Sequence, residues 1–316
     1  QTTTWASSVT VLSCRVLWTL LTASISAATP TTLLQSTSLG DVAYWDVGDP
    51  DSTDVRILLH GLPTSKELWV NVIDDLPEGR TVVVDLLDFG ESSAVDPFNL
   101  QHALRAQAID ELRGELGINT FTLVAHDLGA SVAIDYMRQF GDRVERLVLM
   151  SSPVYPDFEE PAVVALVRKR WIGMTLLRLM PRLLFRHSIR KGLVHKHALD
   201  DFQMEAFLRD YDGRAGKERM WQNLSWGTPA EMFADYPEVM ADIAVPTLLI
   251  HGAQDPYIPL EHARRMDEDI PDSTLIIIEQ GAHFLPIDTP AEVAAAISAF
   301  LLPPGEVLEE DAETGQ

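Results

Sequence analysis

Three residues far apart in the chain are of types that together do hydrolytic chemistry. They are Asp127 in LVAHDLGAS, Asp255 in HGAQDP and His283 in GAHF. Asp127 sits between an apolar run that stops at Ala125 and a helix-like run that starts at Gly129. Small residues stand two places to either side of it, a spacing that lets a strand turn sharply into a helix and lifts the central side chain clear. An ordinary N-cap aspartate fits these five residues equally well, because a helix N-terminus favours negative charge in either case. Asp255 and His283 shift the balance. Each follows a buried-strand pattern (TLLI and TLIII), and the order nucleophile, acid, histidine is that of a known catalytic arrangement. A carboxylate attacking an ester carbonyl would give a reactive anhydride. Attack on saturated carbon gives a stable alkyl ester instead. An imidazole would then activate water against that ester, and a second carboxylate would orient the imidazole.

The elements that must hold these residues follow from periodicity. LLQSTSLGDVAYWDVG predicts two strands around a Leu-Gly-Asp turn, and VRILL, RTVVVDL, TFTLVA and VERLVLM predict buried strands. Helices are expected over 66–76, 99–116, 129–140, 262–269 and 291–301. Short Val/Ile/Leu strands alternating with helices imply a mostly parallel α/β sheet covered on both faces. From 152 to 235 the alternation stops, no buried strand is visible, and an all-helical insertion is expected. Nine of the 24 Lys and Arg fall between Arg168 and Lys196. They are read as the solvated face of that insertion, with a membrane-facing lid as the sharper reading. The expected organisation is a leader over 1–30, a core over 31–151 and 236–302, the helical insertion over 152–235, and an acidic tail over 303–316 read as disordered.

Composition narrows the function. The chain has 316 residues, 46% hydrophobic, with formal net charge −23 and pI ≈ 4.6. Such acidity argues against a nucleic-acid partner. A single cysteine, Cys14, rules out an internal disulfide and a Cys-rich metal site. His195 and His197 lack carboxylate support and are read as surface residues rather than a metal site. No cofactor or metal is expected. The first thirty residues combine an apolar middle with a small-residue end, but Arg15 interrupts them; the cytoplasm is the favoured location, with secretion the alternative. Asn223-Leu224-Ser225 is a glycosylation sequon, relevant only in a secreted eukaryotic protein.

From about Leu33 to Leu302 the chain resembles the α/β-hydrolase superfamily, in the branch with aspartate nucleophiles that includes epoxide hydrolases and haloalkane dehalogenases. AHDLG resembles the nucleophile turn, HGLPTSKELW is similar to the dehalogenase loop after the third strand, and DLLDFGESS resembles the loop after the next strand. The resemblance implies Asp127 as nucleophile, His283 as general base, Asp255 orienting it, and the backbone N–H groups of Leu62 and Leu128 as oxyanion hole. It makes 152–235 a helical cap over a small apolar substrate, with water as co-substrate. Two positions depart from the family pattern. Leu128 stands where relatives carry tryptophan, and Leu62 where many carry asparagine, so neither side chain can hold a halide. Epoxide opening is therefore expected ahead of dehalogenation, with Tyr155, Tyr211 and Tyr236 as candidates to hold the leaving oxygen. Trp171, Trp221 and Trp226 are the candidates if the leaving group is halide. Two further readings are an esterase-like use of the aspartate and a fold that has lost catalysis and serves as a binding protein.

Overall fold

The computed structural model describes residues 29–95, 101–179, 181–209, 211–225 and 227–302. The readings of a leader and of an acidic tail fall almost wholly outside them.

Among the described residues, eight strands form one sheet in the order β1-β2-β4-β3-β5-β6-β7-β8. Their ranges are β1 Leu33–Thr37, β2 Gly40–Gly48, β3 Val55–Leu59, β4 Arg80–Val84, β5 Phe121–His126, β6 Val144–Met150, β7 Thr247–Gly252 and β8 Ser273–Ile278. The pairings of β2 with β1 and with β4 are antiparallel; every other neighbouring pair is parallel. The strands read as continuous apolar runs because both faces are covered. On β5, Phe121, Leu123 and Ala125 enter one core cluster while Val124 enters the other. On β6, Leu147 and Leu149 join the first cluster, and Val148 and Met150 the second.

Helices α1 (His102–Glu115) and α2 (Leu128–Phe140) follow β4 and β5. Between β6 and β7 the chain runs through α3 (Ala162–Arg168), α4 (Arg170–Leu179), α5 (Pro181–Lys191), α6 (Asp201–Arg209), α7 (Gly213–Ser225), α8 (Pro229–Met232) and α9 (Tyr236–Ala241). No strand occurs among the described residues of this insertion. Helix α10 (Leu260–Asp269) follows β7, and α11 (Leu285–Asp288) and α12 (Pro290–Leu301) follow β8.

One expected helix takes another form. The stretch 66–76 makes two 3-10 turns, Lys66–Trp69 and Ile73–Asp75. Asp85 explains the first. Its carboxylate accepts from the Lys66 N–H and from Lys66 Nζ, both at 2.7 Å, and so pins the turn to the end of β4. Lys66, Glu67, Leu68 and Trp69 are all buried, so this turn has no solvated face for an amphipathic helix to present.

Candidate active site

The turn from β5 into α2 puts Asp127 at φ 52°, ψ −121°, a left-handed conformation that is unusual for a non-glycine residue. Its carboxylate makes no cap hydrogen bond to the helix it precedes, which removes the plain N-cap reading. Close packing explains the small residues around it. A Cβ on Gly129 would lie 2.5 Å from the His60 carbonyl oxygen, and one on Gly61 would lie 2.5 Å from Asp127 Oδ1. Only glycine lets the loop after β3 come this near to the turn.

That approach delivers a donor. The Leu62 N–H donates to Asp127 Oδ1 at 2.9 Å. Its direction is set from the other side of the same peptide. The Gly61 carbonyl accepts from the Thr64 N–H, from Thr64 Oγ1 and from His60 Nδ1, at 2.9 to 3.0 Å. In a trans peptide C=O and N–H point oppositely, so holding one aims the other. His60 Nε2 accepts from the Leu86 N–H at 3.1 Å, which leaves the ring proton on Nδ1 for Gly61. Burial pushes His60 down to about 4, so it stays neutral in this role. The nearby Leu128 N–H adds a smaller push in favour of the charged Asp127 carboxylate.

Asp127 Oδ2 faces His283 Nε2 at 3.5 Å, and His283 Nδ1 lies 2.8 Å from Asp255 Oδ2. The carboxylates flank the imidazole on both sides. Burial alone would lower the His283 pKa, but the charges and hydrogen bonds of Asp255 and Asp127 outweigh it and raise it to about 10. Burial would raise both aspartates; His283 overcomes this and holds each below the usual carboxylate range. Asp255 is fixed further by the Tyr257 and Ile258 N–H groups, at 2.8 and 3.0 Å. His126, next to the turn, points away from Asp127. Its Nε2 lies 2.9 Å from the His283 carbonyl oxygen, and burial lowers it to about 4, so it holds the His283 loop as a neutral ring.

The Asp127 side chain is 14% exposed and opens into a cavity of about 470 Å³ between sheet and insertion. Leu62, Leu128, Val167, Leu177, Phe185 and Met232 give it apolar walls. Asp127, His283, Leu62 and Leu128 therefore meet at one cavity, with Asp255 directly behind. The candidate leaving-group residues do not join them. Tyr155 donates to Asp269 at 2.7 Å, Tyr236 hydrogen-bonds Asp135 and the Ser131 carbonyl oxygen, and Tyr211 packs on Phe185; none lines the cavity. Trp171 is 90% exposed, buried Trp221 donates its indole N–H to the Val167 carbonyl at 3.1 Å, and Trp226 lies outside the described residues.

Several positioning residues escaped the sequence reading. Tyr257 lies edge-on to His283 with ring centroids 5.2 Å apart, and its hydroxyl donates to the Ser188 carbonyl of α5 at 2.6 Å. The His283 and Phe284 N–H groups both donate to the Gly192 carbonyl, just past α5. Buried Asp288 accepts from the Ala282, Val194 and His195 N–H groups, tying the His283 loop to the insertion. Asn223 of α7 is no exposed sequon. It is buried at the cavity wall, donates to Asp88 and accepts from Arg105, both at 2.8 Å. Proximity to Asp255 hinted at Tyr257. No local pattern marks Asp288 or Asn223, because their partners are distant in the chain.

A carboxylate at a positive-φ strand-to-helix corner, a backbone donor from the loop after β3 and an aspartate-held histidine on a mostly parallel sheet define a class. The chain belongs to the alpha/beta hydrolase family, whose model matches residues 57–296, and it is an enzyme of that class. It is 28% identical over 281 residues to a haloalkane dehalogenase of Sphingobium indicum, covering 82% of this chain and 91% of that protein. It is 28% identical over 268 residues to epoxide hydrolase 3 of Xenopus tropicalis, covering 78% and 71%. Among solved structures it is similar to the haloalkane dehalogenase DbeA from Bradyrhizobium elkani. There the TM-score is 0.74 at 20% identity, over 85% of this chain and 96% of that one. Cfl2 from Burkholderia cenocepacia gives a TM-score of 0.73 at 23% identity, over 85% and 95%.

Proposed function

We propose that this hydrolase forms a covalent ester on Asp127 by attacking the saturated carbon of a small apolar substrate, with epoxides as the substrate class. One observation carries the reading. Asp127 leaves its helix uncapped and instead splits its two oxygens, Oδ1 on the Leu62 N–H and Oδ2 towards His283 Nε2, inside an apolar cavity. Oδ2 is the attacking atom. Water then adds to Asp127 Cγ, with His283 taking its proton. The charge that develops on Oδ1 meets the Leu62 and Leu128 N–H groups, where loss of one donor typically costs about 3 kcal/mol. Cleavage of the Cγ–Oδ2 bond releases the product hydroxyl carrying Oδ2, and the water oxygen stays in Asp127.

Proton balance favours the epoxide. The two carboxylates that flank His283 favour its cationic form. Ring opening produces an ester and an alkoxide. Moving the imidazolium proton to that alkoxide leaves an alcohol and a neutral imidazole, the form needed to deprotonate water. The next proton comes from water, and the cycle closes on the starting carboxylate and imidazolium. A departing halide accepts no proton, so His283 would have to shed its own to solvent first. The Leu62 and Leu128 side chains also offer a halide no donor.

Dehalogenation is the second reading, favoured by the named dehalogenase relatives. One experiment tests both. A single turnover in ¹⁸O-water should place the label in the peptide holding Asp127, and an epoxide panel should yield diols. Bromide release from bromoalkanes without diol formation reverses the ranking. No label with any turned-over substrate removes the covalent mechanism.

A further inference from the structure

The insertion carries a surface unlike the rest of the molecule. Among the described residues, every exposed large apolar side chain except Leu33 and Leu34 lies between Val163 and Phe202. Trp171 is 90% exposed, Leu179 72% and Leu183 68%. Helical spacing gathers them. On α4, Trp171, Thr175, Arg178 and Leu179 share the exposed face, and on α5 Leu183, His187 and Arg190 do. Exposed apolar area on this scale marks an interaction surface.

Charge says what it meets. The chain carries 47 acidic residues against 24 basic ones, yet none of the 47 falls between Pro161 and Leu199, where nine of the 24 basic residues lie. Some of these cations are neutralised by acids of other segments, as Arg168 is by Glu160 and Arg182 by Glu205 and Asp212. Arg178, Arg190 and Lys191 have no carboxylate within ion-pair reach among the described residues. A second copy of the chain seated symmetrically on this face would oppose these cations with their own equivalents. An anionic surface with an apolar interior would not.

The cavity opens on the same side. Val163, His187 and Lys191 are at once exposed and cavity-lining, which places the mouth between α3 and α5. We propose that the outer face of α3–α5 docks on an anionic lipid surface, apolar side chains entering the headgroup boundary and the free cations resting on lipid headgroups, so that apolar compounds reach the mouth from the bilayer.

Co-sedimentation of the full chain with vesicles tests this without any turnover, so its failure is separate from failure of the Asp127 chemistry. Phosphatidylcholine vesicles containing phosphatidylglycerol should capture the protein at low salt, and high salt or pure phosphatidylcholine should release most of it. The double variant Leu179→Asp/Leu183→Asp should lower partitioning about tenfold or more, and Arg178→Glu/Arg190→Glu should abolish the preference for anionic vesicles. Circular dichroism and melting curves like the parent's would show both variants folded. Absence of parent binding, or unchanged binding of folded variants, overturns the proposal. So does a parent dimer in sedimentation velocity that the Leu179→Asp/Leu183→Asp variant loses while vesicles capture neither protein.

Discussion

The strand-end loops and the helical insertion solve different problems with different physics. Around Asp127, Asp255 and His283 the ionised groups are tightly partnered, the flanking strands are apolar on both faces, and a Cβ at Gly61 or Gly129 would collide with its neighbours. The insertion has smaller apolar clusters, such as that of Val167, Met174, Leu177 and Trp221, and large exposed apolar side chains. Part of it packs into the core itself through Ile189, Leu193, Met204 and Phe207, and buried polar contacts add ties at the seam, with Asn223 on Asp88 and Arg105, and Asp288 on the Val194 and His195 N–H groups. Under the proposed function, the first region would carry the reaction and the second would govern what reaches it. The two are not independent, because Gly192 and Tyr257 link α5 directly to His283.

The sharpest break in the comparison comes from altering the reacting groups. Asp127→Asn should lower kcat by roughly 10⁴-fold or more with the fold retained. His283→Gln removes both the proton that ring opening takes up and the base that hydrolysis needs, so diol formation should fall as far; an adduct on the Asp127 peptide, read by intact-protein mass spectrometry, should build up only with a substrate whose leaving group needs no proton, and an active His283→Gln protein would contradict the order of steps.

A medium effect should come from the seam between the regions. Asn223→Leu strips both hydrogen bonds and leaves the buried Asp88 and Arg105 side chains without them, so urea unfolding should show a loss of about 2–3 kcal/mol. Burial already pushes Asp88 up to about 6. A loss confined to KM, with unchanged unfolding, would show that Asn223 serves the substrate and not the seam.

A further effect is on pH. His283 has a folded pKa raised to about 10, above its unfolded value of about 6.5. Its contribution to stability is therefore fully present below about 6.5 and is lost as pH rises through about 10. Asp127 and Asp255, held low, contribute above about 3.9 and lose that contribution as pH falls. Melting curves of the parent and of His283→Gln should converge as pH rises. Parallel alkaline limbs would mean the imidazole is not cationic in the resting protein.

Much of the core was legible along the chain. The spans of β3 and β6 match the apolar runs residue for residue, and Asp127, Asp255 and His283 were readable because each ends or follows such a run. The 3-10 turn at Lys66 was not, because its cause is a carboxylate at position 85. The tyrosines nominated for the leaving group were misplaced for the same kind of reason. Tyr155 and Tyr236 are engaged by Asp269 and Asp135, and no periodicity announces those contacts.

By itself, the sequence determined the strand pattern, the sharp turn at Asp127, the chain order of Asp127, Asp255 and His283 and the concentration of basic charge in the insertion. These follow from local sterics and from apolar repeats that act over a few residues. Only the tertiary structure decided that Oδ1 meets Leu62 while Oδ2 meets His283, that Asn223 is a buried tie, and that apolar residues and cations share a face beside the cavity mouth. Those outcomes depend on which distant groups packing brings within hydrogen-bond range, and one-dimensional spacing carries no record of that.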